Sequence, residues 1–165
     1  MFALARAATY STLFIGLLLV YLPGRLLAWS GIRTPAGIGA WQLVGIVLGG
    51  AGAVVALACI LTFVFAGKGT PAPFDPPRRL VRVGPYRYVR NPMYLGAGLA
   101  MLGAASYYGS TVLLAYVAGF LAACHALVRL YEEPALHRLF GAEYDAYRAL
   151  TPRWLPGWGA RGGGL

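Results

Sequence analysis

Residues 91–128 read NPMYLGAGLAMLGAASYYGSTVLLAYVAGFLAACHALV, a run without a single Asp, Glu, Lys or Arg. Roughly 20 apolar residues of helix cross the hydrocarbon core of a bilayer. The run is therefore too long for one crossing, and too apolar for a domain surrounded by water. Its only interruption is Tyr107-Tyr108-Gly109-Ser110, a tight-turn sequence with Ser110 placed to cap a following helix. The stretch divides there into two antiparallel helices, expected at about 93–106 and 111–131. The first would be only about 20 Å long at the α-helical rise.

Two further uncharged runs lie upstream, Ala7 to Gly24 and Thr34 to Gly67, and they predict spans at about 8–28 and 41–66. A cleaved signal peptide is the other reading of the first run. Its length, and the lack of a small-residue cleavage site after it, favour a retained span. Arg25 can extend its guanidinium to the interface from an apolar stem. Trp29 and Trp41 bracket a short Gly/Thr/Pro-rich loop at the level where amphipathic rings prefer to sit.

Composition agrees, with 59% hydrophobic and 12% charged residues. The net charge of +9 would suggest nucleic acid in a soluble protein. Here the cations Lys68, Arg78, Arg79, Arg82, Arg87 and Arg90 gather between apolar runs, which marks loop 67–92 as cytosolic and near anionic headgroups. The expected fold is an all-α integral membrane protein: one membrane-embedded domain over residues 1–165 with four transmembrane helices and both termini inside. Leu136, Leu139, Phe140, Tyr144, Tyr147 and Leu150 recur at helical spacing around Gly141. They predict short amphipathic cytosolic helices within segment 132–156, followed by a loose tail at 157–165. Cys59 and Cys124 have no metal-ligand spacing and read as buried small hydrophobes. Gly45 and Gly49, four apart, allow close helix contact, either within the chain or in a homodimer.

Chemistry concentrates in two places. Gly84 to Gly96, GPYRYVRNPMYLG, sets Arg87, Arg90, an Asn-Pro step and Tyr86, Tyr88 and Tyr94 at the start of the long apolar run. Pro92 suits a first helical turn, and such a turn beside Arg90 favours an anionic group such as a cofactor carboxylate. The alternative is a plain loop-to-span transition with interfacial tyrosines. At the other end of the run stand Arg129, Glu132 and Glu133. Arg129 and Glu133 are four apart, as an internal ion pair would be. Two adjacent carboxylates near the end of a helix oppose its dipole and call for more positive charge than Arg129 supplies. A bound cation, an ammonium or ribose hydroxyls would answer that need. His125 reads as a buried, hydrogen-bonded histidine, and His137 as a surface residue.

GPYRYVRNPMYLG, LYEEPAL and FGAEYDAYRALTPRWLP together resemble the isoprenylcysteine carboxyl methyltransferase and phospholipid methyltransferase superfamily of membrane enzymes, over about Leu80 to Pro156. The resemblance implies an S-adenosylmethionine-dependent methyltransferase with its site on the cytosolic side. It assigns cofactor contacts to Val81, Tyr86, Arg90, Asn91, Pro92, Met93, Tyr94, Gly96 and Glu133. It associates Arg129 with the acceptor substrate, whose carboxylate it would orient; if the acceptor is an amine, the proton it must lose goes to Glu132 or to a water. Many members of the family have His where Asn91 stands, and the Asn-Pro-Met-Tyr and Tyr-Glu-Glu-Pro steps also look like the phosphatidylethanolamine-methylating branch, so the acceptor stays open. A lipid or a small hydrophobic carboxylate, amine or thiol is the class expected. The Arg-over-Lys bias and Ala/Gly richness point to a bacterial cytoplasmic membrane. Membrane sterol or enone reductases that use NADPH resemble the same C-terminal pattern but are longer. A non-enzymatic small membrane protein is the third reading.

Overall fold

The computed structural model describes residues 15–67 and 79–156. Positions 8–14 of the first expected span, Lys68, Arg78 and the Pro-rich stretch between them, and the tail 157–165 lie outside the described residues. Every regular element among the described residues is helical. Helix α1 (Leu22–Trp29) continues a π-helical turn, Ile15–Tyr21. Helix α2 (Ala40–Thr62) runs on as a second π-helical turn, Phe63–Gly67. After irregular residues 80–83, of which Val83 is extended, comes a 3-10 turn, Gly84–Arg87. Helices α3 (Pro92–Tyr108) and α4 (Thr111–Leu127) follow. A third π turn, Val128–Glu132, leads into α5 (Glu133–Phe140), and α6 (Ala142–Leu150) closes the series.

Two continuous stretches are long and apolar enough to cross a bilayer: Ala40–Gly67, with 28 residues, and Thr111–Phe140, with 30. Only 17% and 28% of their most apolar windows is buried within the chain. A core helix of a water-soluble protein would be mostly covered, so these faces belong against lipid. The second stretch is about 45 Å long at the helical rise, well beyond a core of about 30 Å. Glu132 and Glu133 stand in its last third. Pro134 lacks the N–H that would continue an α-helix, yet the helical stretch does not end there. Instead the π turn absorbs the missing donor: the Glu133 N–H reaches back five residues to the Val128 carbonyl.

The turn at 107–110 forms as the sequence predicts. Gly109 takes a left-handed φ of 59° and ends α3. The Ser110 hydroxyl then accepts the Leu113 N–H at 3.1 Å. Helix α3 has 17 residues, somewhat longer than expected. It packs on α4 through Tyr94, Ala97 and Met101 against Val117, Phe120, Cys124 and Val128, positions spaced three and four apart along each helix. Both cysteines are free and buried.

The other face of α3 lies against α2 backbone to backbone. A Cβ built on Gly103 would stand 2.4 Å from the Gly49 nitrogen and 2.6 Å from the Gly45 carbonyl oxygen. One on Gly52 would stand 2.4 Å from the Ala100 nitrogen, and one on Gly96 2.9 Å from the Ala56 nitrogen. This corrects the homodimer option: the Gly45/Gly49 face is occupied by α3 of the same chain and is closed to a second copy. At the far end of this seam Gln42 accepts the Gly39 N–H at 3.0 Å and donates to the Tyr107 carbonyl at 3.2 Å. Helix α1 is tied to α4 by the Tyr116 hydroxyl, which donates to the Leu18 carbonyl at 2.9 Å.

Candidate functional site

Because α3 and α4 are joined at residues 109–110, their other ends meet, and the two chemistry-bearing stretches come together there. Arg90 directs Nη1 to Glu133 Oε1 at 2.9 Å and to the Tyr144 hydroxyl at 3.1 Å. Its side chain is only 9% exposed and that of Glu133 12%, so neither charge is left to water. Tyr94, buried on the first turn of α3, donates its hydroxyl to Glu132 Oε1. Two consecutive carboxylates, one ending the π turn and one starting α5, are thus each held by a residue of the 90–94 stretch.

The positive charge that the Glu132-Glu133 pair calls for comes from Arg90 and Arg153. Arg129 is exposed and makes no ion pair among the described residues. The π turn explains the choice. It hydrogen-bonds Glu133 back to buried Val128, so Glu133 turns toward the protein interior, away from the exposed side of the helix where Arg129 stands beside Leu130.

Arg153 grips Glu133 with both arms of its guanidinium, Nε to Oε1 at 2.7 Å and Nη2 to Oε2 at 2.8 Å. Residues 151–155 form a strap across the junction. The Arg90 N–H donates to the Pro152 carbonyl at 2.9 Å, and Asn91 Nδ2 to the Arg153 carbonyl at 3.1 Å. The Trp154 indole N–H donates to His125 Nδ1 at 3.0 Å, with the rings stacked at 5.9 Å. An indole N–H can only donate, so His125 Nδ1 is the acceptor in this contact.

The remaining expected residues fall into two other settings. Val81 and Tyr86 are buried with Cys59 in an apolar cluster, with Met93 packed on it. The Tyr147 hydroxyl donates to the Tyr86 carbonyl at 2.6 Å and locks α6 onto the 3-10 turn. Burial pushes the phenols of Tyr86 and Tyr147 above their ordinary range, and the neighbouring Cys59 adds to the shift at Tyr86. Pro92 is buried at the head of α3. Gly96 belongs to the α2–α3 seam, where its lack of a side chain admits the α2 backbone.

Tyr144, Tyr147, Arg153 and Trp154 were missed as site residues. The signal for the first two is their spacing of three, which puts both rings on one face of an amphipathic helix. For Arg153 it is a lone arginine between two prolines in an otherwise uncharged turn.

A helical, membrane-associated chain with a polar junction at one end of a helix hairpin is thus the class of protein defined by fold and site. Comparison with family models narrows it: the phospholipid methyltransferase family matches residues 41–143, from the start of α2 into α6. The chain belongs to that family, and membership implies a membrane methyltransferase. No curated protein and no solved structure matches it.

Proposed function

We propose that the chain is an S-adenosylmethionine-dependent methyltransferase, with its site at the Arg90–Glu133 junction on the cytosolic face of a bacterial membrane. The observation that carries this reading is the meeting of residues 90–94 with Glu132 and Glu133 at one end of the α3–α4 hairpin. The topology we infer has four spans with both termini inside, leaving loop 67–92 and segment 132–156 on the cytosolic side. The clustering of arginines in that loop supports it.

The junction suits an amino-acid-bearing nucleoside. Arg90 Nε is buried and has no partner among the described residues, a donor left for a carboxylate or hydroxyl oxygen. Glu132 has Tyr94 on one oxygen and no other hydrogen-bond partner among the described residues. Glu133 accepts two hydrogen bonds, both from Arg153, and pairs with Arg90 Nη1 at 2.9 Å, which leaves part of a carboxylate's roughly four acceptor sites for an ammonium or a ribose hydroxyl. Arg90, Asn91, Glu132 and Glu133 would hold the polar parts, with Tyr86, Pro92, Met93 and Tyr94 beside them. When bound, the cofactor supplies an electrophilic sulfonium methyl.

The protein's part is alignment and exclusion of water. Tyr94 fixes the Glu132 carboxylate, which can take the proton that an ammonium acceptor must lose before it becomes a nucleophile. Exposed Arg129, beside the exposed Leu130 and Tyr131, is placed to orient an anionic headgroup or carboxylate at the edge of the bilayer. A lipidic acceptor, the class the family description points to, would approach sideways through the membrane.

Calorimetry on detergent-purified protein tests the reading, with S-adenosylmethionine, S-adenosylhomocysteine and NADPH as titrants and Glu133→Ala as the comparison. Saturable binding of the first two, weakened in the variant, is expected. Binding of NADPH alone would turn the reading to a reductase. Binding of none by folded protein would leave a non-enzymatic membrane protein.

A further inference from the structure

We infer that Arg153 is a positioning residue of this site, one that keeps the Arg90 Nε–H donor free for ligand by engaging both oxygens of Glu133. The inference rests on the methyltransferase reading above. Arginine and carboxylate pair most strongly when two N–H groups meet two oxygens in a fork. Arg90 stands within reach of such a fork with Glu133 and does not form it. Only Nη1 contacts the carboxylate, at 2.9 Å, while Nε is buried without a partner among the described residues. The fork belongs to Arg153, whose Nε and Nη2 cover Oε1 and Oε2 at 2.7 and 2.8 Å. Arg153 thereby sets the plane of the carboxylate and limits what Arg90 can take from it.

The strap is anchored so as to hold Arg153 in that role. It touches the loop before α3 at Arg90 and Asn91, through the Pro152 and Arg153 carbonyls. It touches the last turn of α4 at His125, through Trp154. The Thr151 N–H continues it from α6 by bonding the Tyr147 carbonyl. Arg153 lies between these anchors, so its guanidinium arrives at Glu133 with little freedom to turn. Without it, Glu133 can rotate until Arg90 closes its own fork, and the Nε–H donor is consumed inside the protein. The effect of Arg153 on ligand must therefore pass through Glu133. A residue that merely stabilises the fold has no such requirement.

The test is a double-variant cycle on S-adenosylhomocysteine affinity by calorimetry, using wild type, Arg153→Ala, Glu133→Ala and the pair. Arg153→Ala is expected to weaken binding by about tenfold or more, the scale of a lost charge-assisted hydrogen bond. Arg153→Lys, which reaches one oxygen only, should recover part of that loss. In the Glu133→Ala background, removal of Arg153 should have no further effect. If Arg153→Ala does not fold, Arg153→Lys runs through the same cycle with a smaller first step. Unchanged affinity in the single Arg153 variant, or losses that multiply in the pair, would overturn the inference alone. Failure of folded wild type to bind S-adenosylhomocysteine would overturn the methyltransferase reading, and this inference with it.

Discussion

Replacing Gly103 with alanine adds one methyl group at a place where two helix backbones touch. The new carbon would lie 2.4 Å from the Gly49 nitrogen, 2.6 Å from the Gly45 oxygen and 2.7 Å from the Gly49 α-carbon. Ordinary contact between such atoms is about 3.5–4.0 Å, so α2 and α3 must separate by about 1 Å. All three neighbours are backbone atoms, and no side chain can swing aside to absorb the change. Forcing an extra methyl into a filled contact costs about 1–3 kcal/mol, against about 0.8–1 kcal/mol gained by taking glycine out of a helix interior. The net expectation is a loss of up to about 2 kcal/mol, at about 2–4 °C of melting temperature per kcal/mol for a chain of this size. Gly50, next to Gly49 on α2 but with nothing within 4 Å of its built Cβ, is the control. Gly50→Ala should be neutral or stabilising. The buried free thiols Cys59 and Cys124 provide the assay, since a maleimide dye reacts with them as the protein unfolds on heating in detergent. Equal midpoints for Gly103→Ala and wild type, or an equal loss in Gly50→Ala, would refute the argument.

Three other perturbations have defined outcomes. Ser110→Ala removes the cap from the Leu113 N–H and should destabilise by about 0.5–2 kcal/mol, seen as a lower melting midpoint in the thiol assay. Tyr94→Phe strips the Glu132 carboxylate of its donor and should lower methyl transfer to a lipid extract by about tenfold or more; wild-type turnover in this variant would remove Glu132 as the proton acceptor. Alkaline pH should also unfold the chain. The phenols of Tyr86 and Tyr147 are raised above their ordinary value of 10.0, so their contribution is complete below that value. It is lost as the pH climbs, because the unfolded chain releases these protons first. Melting midpoints that stay level from pH 9 to about pH 11 would contradict this.

The apolar runs made the helices legible, and Gly109-Ser110 made the turn between α3 and α4 legible, because each rests on local physics: hydrocarbon thickness, left-handed glycine, a capping hydroxyl. That the 84–96 stretch lies near Glu132 and Glu133 follows from the same turn, since a hairpin brings its open ends together. Partner choice was harder to read. Arg129 looked like the partner of Glu133 because an α-helix aligns residues four apart, but the π turn at Val128–Glu132 shifts that alignment. Gly45 and Gly49 announced a close contact without naming the second surface, since glycine spacing is the same on either side of such a seam. The strap was hard to read as site machinery because two of its bonds run through the backbone carbonyls of Pro152 and Arg153, which any residue type carries, and its side-chain bonds go to Glu133 and His125, 20 and 29 positions away.

The strap also sets an order of events during synthesis. Arg153 follows Glu133 by 20 positions and Asn91 by 62, so the described helices have all been synthesised before the last part of the junction exists. Until then Arg90 and Glu133 have only each other and Tyr144, and the growing chain passes through the insertion machinery with an unfinished site. The orientation of Glu133 by Arg153 is therefore set last, when the strap docks as a final clasp. A chain released before residue 151 would keep the residues of its glycine seam and lack that clasp.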